Sequence, residues 1–244
     1  MVNIIKKIAT LILNKEISDM HSCIDKCNLQ KNVLQTKIEN MIKSDRLADY
    51  YNSKYPTQDI TYNRTDKLGT IKIDVRQFIQ PNNFKLPEFT GTDDEIALKS
   101  LKYVISKLKY TPDKTKYGMN EYWAFPYETM KYKKDDCEGG SCLLASILIH
   151  NKIPSWKVRV SAGWVTNPSN NKKEGHAYCT YYSVKSDKWV ILDWCFFKNL
   201  LNIKDRKNYK DNKLYGEIWF SFNNEGSWGN TEDIRKSKVK NILK

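Results

Sequence analysis

At 244 residues the chain has room for one ample domain, or for one domain with a helical appendage. Its 40% hydrophobic and 12% aromatic content, with only ten Gly and seven Pro, excludes the low-complexity and disordered classes for most of its length. Forty-one Lys and Arg against 28 Asp and Glu leave a formal charge of +13, which favours encounter with anionic partners. Lys far outnumbers Arg, however, as in chains from A/T-rich genomes, and no stripe alternates basic with aromatic residues, so a nucleic-acid partner is not expected.

At the N-terminus, the apolar stretch from Ile8 to Leu13 is too short for a spanning helix, and no small-residue cleavage site follows. Neither a signal peptide nor a membrane span is expected. Six Cys would allow disulfides in an exported protein, but a chain of this size does not need them, so reduced thiols in a cytoplasmic compartment are the default. Ile17, Met20, Ile24, Cys27, Lys31, Leu34, Ile38 and Met41 then recur at steps of three and four, a heptad-like helical stripe. Such a stripe can pack on the rest of the chain or mediate self-association. The expected division is a helical segment over residues 1–56, a main domain over 57–234 and a basic tail over 235–244.

Within the main domain, Thr70 to Phe78 alternates in the strand manner and Gln80-Pro81-Asn82-Asn83 breaks it. Thr92-Asp-Asp-Glu95 is a capping box that opens a helix with Ala97, Leu101, Val104, Ile105 and Leu108 on one face. Asp136 to His150 begins acidic and glycine-containing, turns strongly apolar and stops before Ile153-Pro154, as a buried helix would. Strands are predicted over Lys157 to Val165, His176 to Val184 and Trp189 to Cys195, the last two joined by the short polar Lys185 to Lys188, with another over Tyr215 to Phe222. The pattern is that of an α+β fold.

Cys137 stands at the start of the buried helix, where unpaired backbone N–H groups favour a thiolate. Cys142 lies inside the apolar run, and Cys179 and Cys195 fall in strand patterns, where packing accounts for them. An activated thiolate needs a base, and the base needs a group to fix its tautomer. Of His21, His150 and His176, only His176 opens a strand that has an acid, Asp193, waiting on the next one. Asp193 follows Val-Ile-Leu and precedes Trp, so it should be partly buried and in need of a hydrogen-bonding partner.

With Asp136-Cys137-Glu138, Ile153-Pro154, Gly175-His176-Ala177, Leu192-Asp193-Trp194 and the lead-in Tyr122 to Thr129, residues 70 to 200 resemble the transglutaminase-like cysteine enzymes of bacteria and their viruses. The resemblance implies a papain-like core in which the catalytic helix packs on an antiparallel sheet. It also implies that Cys137 is the nucleophile, His176 the general base and acid, and Asp193 the imidazole orienter. The family spacing of about seventeen residues from nucleophile to Pro selects Cys137 over Cys142. Where relatives often carry an acid or aromatic after the nucleophile, this chain has Gly139-Gly140, which would loosen the helix start. The backbone N–H of Cys137 and a second donor would form an oxyanion hole, with Trp123 a candidate for the second and simple packing the competing account of it.

These residues lead to peptide or amide hydrolysis through a thioester on a protein or peptide substrate, with no cofactor and no metal. A lysine amine in place of water would instead give a crosslink. A further alternative is a transglutaminase-like structural component of a phage particle with little or no catalysis, assembling through the N-terminal helices and resident in the host cytoplasm or the virion. Cys137, Cys142, His176, Cys179 and Cys195 include enough soft ligands for zinc, but their spacing matches no usual zinc pattern.

Overall fold

In the computed structural model the described residues are 13–32, 60–66, 69–167 and 170–229. The chain divides into two units, Met1–Tyr50 and Tyr51–Lys244. Within the first, residues 13–32 form helix α1, which displays Ile17, Met20 and Ile24 at its surface. Leu34, Ile38 and Met41 of the heptad stripe, the expected boundary near residue 56 and the basic tail over 235–244 lie outside the described residues. No helix among the described residues is long and apolar enough to cross a membrane.

The second unit opens with the antiparallel hairpin β1 (Thr61–Asp66) and β2 (Gly69–Asp74). The alternation in sequence predicts a strand to Phe78, but the chain turns into a 3-10 helix at Val75–Phe78 instead. Asp74 causes the turn, because its carboxylate accepts the Arg76 backbone N–H at 2.9 Å and so offers the backbone an alternative to the ladder. Val75 and Phe78 are thereby sent into the core.

Helix α2 (Asp93–Lys107) starts at the expected capping box, with Thr92 and Glu95 each bonding the other's backbone N–H. Its buried face carries Ile96, Ala97, Leu101 and Val104. After the short strand β3 (Lys109–Tyr110) and the single turn α3 (Asp113–Lys116), the lead-in segment enters α4 (Pro126–Tyr132), with Pro126 in the first turn. Strand β4 (Lys134–Asp135) pairs with β3 in parallel and delivers the chain directly into α5 (Cys137–His150). Every residue of α5 from Glu138 to Leu148 is buried, the mark of a helix enclosed on all sides.

What encloses α5 is α2 and α4 on one side and a five-stranded sheet on the other. The sheet comprises β5 (Val158–Thr166), β6 (Lys173–Ser183), β7 (Lys188–Leu192), β8 (Tyr215–Phe222) and β9 (Ser227–Gly229), in the order β7-β6-β5-β8-β9 and antiparallel throughout. The expected hairpin is present, with Ser183 opposite Lys188 and Cys179 opposite Leu192. Strand β7 ends at Leu192, so Asp193 and Cys195 lie beyond it and not within it. The reason is local: Asp193 Oδ1 accepts the backbone N–H groups of Cys195 at 3.0 Å and Phe196 at 3.1 Å, closing a turn of the Asx kind.

Leu143 is fully buried where α5 meets the rest of the core. Leu143→Ala is expected to lower unfolding stability by about 2–5 kcal/mol, through lost burial and the cavity left behind. Urea denaturation checks this, with a lower midpoint and an unchanged slope.

Candidate active site

Cys137 occupies the first position of α5, as its spacing predicts, and is part-buried. His176 comes from β6, and Asp193 from the turn that follows β7. His176 Nε2 meets Asp193 Oδ2 at 2.7 Å, with His176 7% and Asp193 1% exposed. This pairing commits Nε2 and leaves Nδ1 as the other ring nitrogen. Cys137 and His176 line a common cavity of about 370 Å³, together with Tyr110, Glu174, Gly175, Cys195 and Phe196. A smaller cleft of about 100 Å³ is also lined by both residues, with Trp123, Glu138 and Trp219. Helix α5 is tied to the His strand here, since Ser141 Oγ donates to the Ala177 carbonyl at 3.2 Å.

The Gly139-Gly140 pair has a steric cause. A Cβ at Gly140 would fall 2.2 Å from the Trp194 indole, and one at Gly139 would fall 2.3 Å from the Asp135 carboxyl carbon. Trp194 is thereby free to lie on the helix start, where its Nε1–H donates to the Cys137 carbonyl at 3.2 Å. Leu192-Asp193-Trp194 thus serves both ends of the site: its acid holds His176, and its indole holds the turn that carries Cys137.

Trp123 is not placed as a free donor. Its indole N–H is committed to Glu121 Oε1 at 2.7 Å, and its ring stacks on Tyr62 with centroids 5.2 Å apart. Aromatic packing accounts for it.

Two groups of residues were not singled out by the sequence. The first is Tyr215, at the start of β8, whose hydroxyl donates to Asp193 Oδ2 at 2.8 Å. The second is an acidic pocket beside Cys137. Ligand oxygens of Asp113, Glu121 and Glu138 lie within 4.8 Å of one another, as do those of Asp113, Asp135 and Asp136. Asp136 and Glu138 are visible in sequence as the flanks of Cys137, but Asp113 and Glu121 have no spacing that marks them. Asp135 is ion-paired with Lys116 at 3.1 Å. By contrast Asp113 Oδ1, Asp136 Oδ1 and Glu138 Oε1 are buried without a hydrogen-bond partner. A zinc site drawing on Cys142 and Cys179 is not what the geometry gathers; His176, Asp193 and Cys195 converge, but as part of the His–Asp pair.

Burial dominates the electrostatics of this pocket. It pushes the carboxyl pKa of Asp113 and Glu121 up to about 7 and that of Asp136 up to about 8, and neighbouring acids add to the effect. Glu138 is raised as well, by burial first and by Asp136 next, and accepts the Cys137 thiol at 3.1 Å. The thiol itself is raised by burial first and by Asp136 next, with the Ala177 backbone N–H acting in the other direction. At Asp193 burial alone would raise the pKa, but the His176 pair and the donated hydrogen bonds more than offset it, and the carboxyl is held below its usual range.

The folded chain therefore retains protons on Asp113, Glu121 and Asp136 that the unfolded chain releases near pH 4, at ordinary carboxyl values of 3.8 and 4.5. The native state binds more protons between those values and about pH 8, so these groups make stability fall as pH rises through that window. Asp193 acts in the opposite sense and only at acid pH, its contribution being lost as pH falls through its depressed value. Urea midpoints measured in a chelator are expected to be lower at pH 8 than at pH 5. A higher midpoint at pH 8 would contradict this account of the acidic pocket.

Residues 85–194 match the family model described as the transglutaminase-like superfamily. No curated protein matches the chain. Among solved structures, LapG of Legionella pneumophila is 19% identical over 63% of this chain and 78% of its own, with a TM-score of 0.44. A calcium-bound form of the same protein is 20% identical over 56% of this chain and 69% of its own, with a TM-score of 0.42.

Proposed function

On the match of residues 85–194 to the transglutaminase-like superfamily model, we propose that the chain is a cysteine-dependent acyl-transfer enzyme that hydrolyses peptide or amide bonds. The observation that supports the proposal is the His176–Asp193 pair at 2.7 Å together with a cavity that His176 and Cys137 both line. In the proposed reaction His176 Nδ1 takes the Cys137 thiol proton as the sulfur attacks the substrate carbonyl. The tetrahedral oxyanion forms against the unpaired N–H groups at the start of α5, with the Cys137 backbone N–H the nearest candidate. His176 then passes its proton to the leaving amine, and the C–N bond breaks to leave a thioester. Water, losing a proton to His176, attacks the thioester, and the same proton returns to the Cys137 sulfur as the acid departs. Asp193 holds the imidazole tautomer throughout and stabilises the imidazolium.

The acidic pocket favours one addition to this scheme. Asp113, Glu121 and Glu138, whose ligand oxygens lie within 4.8 Å of one another and of which Asp113 Oδ1 and Glu138 Oε1 are buried and unpartnered, form an all-oxygen donor set of the kind that suits a hard divalent cation such as calcium. These residues would hold the ion, and its charge would counter that of Asp136 and Glu138 and so favour the Cys137 thiolate. This departs from the expectation of a metal-free site, and it rests on the orphaned oxygens.

Cys137→Ala is expected to reduce turnover of a peptide-amide library by about 10³-fold or more while leaving the melting temperature in place. Retained turnover would refute the assignment. In the wild type, limiting iodoacetamide should label Cys137 ahead of Cys142, Cys179 and Cys195, as read by mass spectrometry; uniform slow labelling would favour a structural role. For the cation, adding calcium to chelator-treated protein should raise the melting temperature by about 5 °C, given saturation well above the dissociation constant. Glu121→Gln should abolish that rise, and a flat response in the wild type would exclude the site.

A further inference from the structure

Tyr215 lies beyond the family-matched residues, yet it reaches the acid of the proposed triad. It begins β8 and pairs with Val165 at the end of β5. The ring is 6% exposed and is wedged between Tyr178, at a centroid distance of 4.8 Å, and Phe196, at 6.5 Å. Those two rings also flank His176, at 6.0 Å and 5.1 Å. Tyr215 is therefore held in one place by packing, with its hydroxyl directed at Asp193 Oδ2. Burial, and then the Asp193 charge, raise the tyrosine pKa above its ordinary value, so the hydroxyl remains a donor.

Asp193 divides its two oxygens between two tasks. Oδ1 accepts the backbone N–H groups of Cys195 and Phe196, which fix the turn. Oδ2 accepts His176 Nε2 at 2.7 Å and Tyr215 Oη at 2.8 Å. Two donors on one oxygen compete for its electron density, so each weakens the other's bond. The geometry points to Tyr215 as a positioning residue of the proposed triad, one that shares Asp193 Oδ2 with His176 and so sets how strongly the carboxylate holds the imidazole N–H. The inference rests on the acyl-transfer proposal for its role in catalysis, since a carboxylate that grips too tightly would slow the release of the imidazole proton.

The test reads the pairing directly, without a substrate. Proton NMR of ¹⁵N-histidine-labelled full chain should show a downfield imidazole N–H resonance that disappears in His176→Gln. In Tyr215→Phe, which keeps the ring and removes the donor, that resonance should move further downfield as Asp193 is left to His176. With 3-fluorotyrosine at position 215, whose more acidic hydroxyl is a stronger donor, it should move upfield; this replacement serves also if Tyr215→Phe does not fold. Tyr209→Phe removes a hydroxyl that donates to the Gly216 carbonyl and also meets the Tyr178 hydroxyl, so it serves as the control for a general disturbance of the aromatic cluster and should leave the resonance where it is. Opposite shifts for the two changes at position 215 support the inference. An unmoved resonance, shifts of the same sign, or an equal shift in Tyr209→Phe would reduce Tyr215 to packing and overturn it. Turnover by Cys137→Ala decides the chemistry separately, so either conclusion can fail without the other.

Discussion

The architecture of the site turns on one buried carboxylate. Asp193 is almost wholly excluded from solvent, and an ionised carboxylate in that position costs several kcal/mol unless donors replace its water. Its donors come from three parts of the chain: the His176 ring on β6, the Tyr215 hydroxyl on β8, and the backbone of the turn at Cys195 and Phe196. They can converge only because the antiparallel order brings the start of β6, the ends of β5 and β7 and the start of β8 to the same edge of the sheet. Removing the start of β6, the turn after β7 or the start of β8 would leave the carboxylate short of a partner. The sheet is in this sense built around the demand of a single charge.

A second constraint fixes the sulfur relative to that sheet. Helix α5 must bring its first turn close enough to the sheet edge for Cys137 to share the His176 cavity, and Trp194 covers that turn. The absence of side chains at Gly139 and Gly140 makes room for the Asp135 carboxyl and the Trp194 indole. A helix start that looks weak by propensity is thus a packing requirement. The entropy lost by placing glycine in a helix, about 0.5–1 kcal/mol each, is offset by the close approach it permits.

Much of this was legible in the sequence, and what was hidden has a physical pattern. The capping box at Thr92, the buried helix from Cys137, the hairpin through Lys185 to Lys188 and the strand Tyr215 to Phe222 depend on local periodicity and local hydrogen bonds, and those are written in neighbouring residues. The early end of β2 is not legible in the alternation pattern, because a single side chain, Asp74, overrides it. The same pattern predicts a strand through Asp193, which likewise ends its strand with its own carboxylate. Nonlocal partners left no local signal. Tyr215 meets Asp193 across 22 residues, and Asp113 comes within 4.8 Å of Glu138 from a separate element of the chain.

The two carboxylate environments at this site carry the closing argument, because burial is common to both and the outcomes are opposite. Asp193 is buried and held below the ordinary carboxyl range, since an imidazole, a phenol and two amides all donate to it. Asp113, Asp136 and Glu138 are buried and raised, since each retains an oxygen without a donor and each faces other acids. Environments that drive like groups apart in pKa separate their roles. Asp193 is suited to remain an anion beside an imidazole that gains and loses a proton. The acidic pocket is suited instead to holding protons, which satisfy its buried oxygens to a higher pH than an exposed carboxyl would allow.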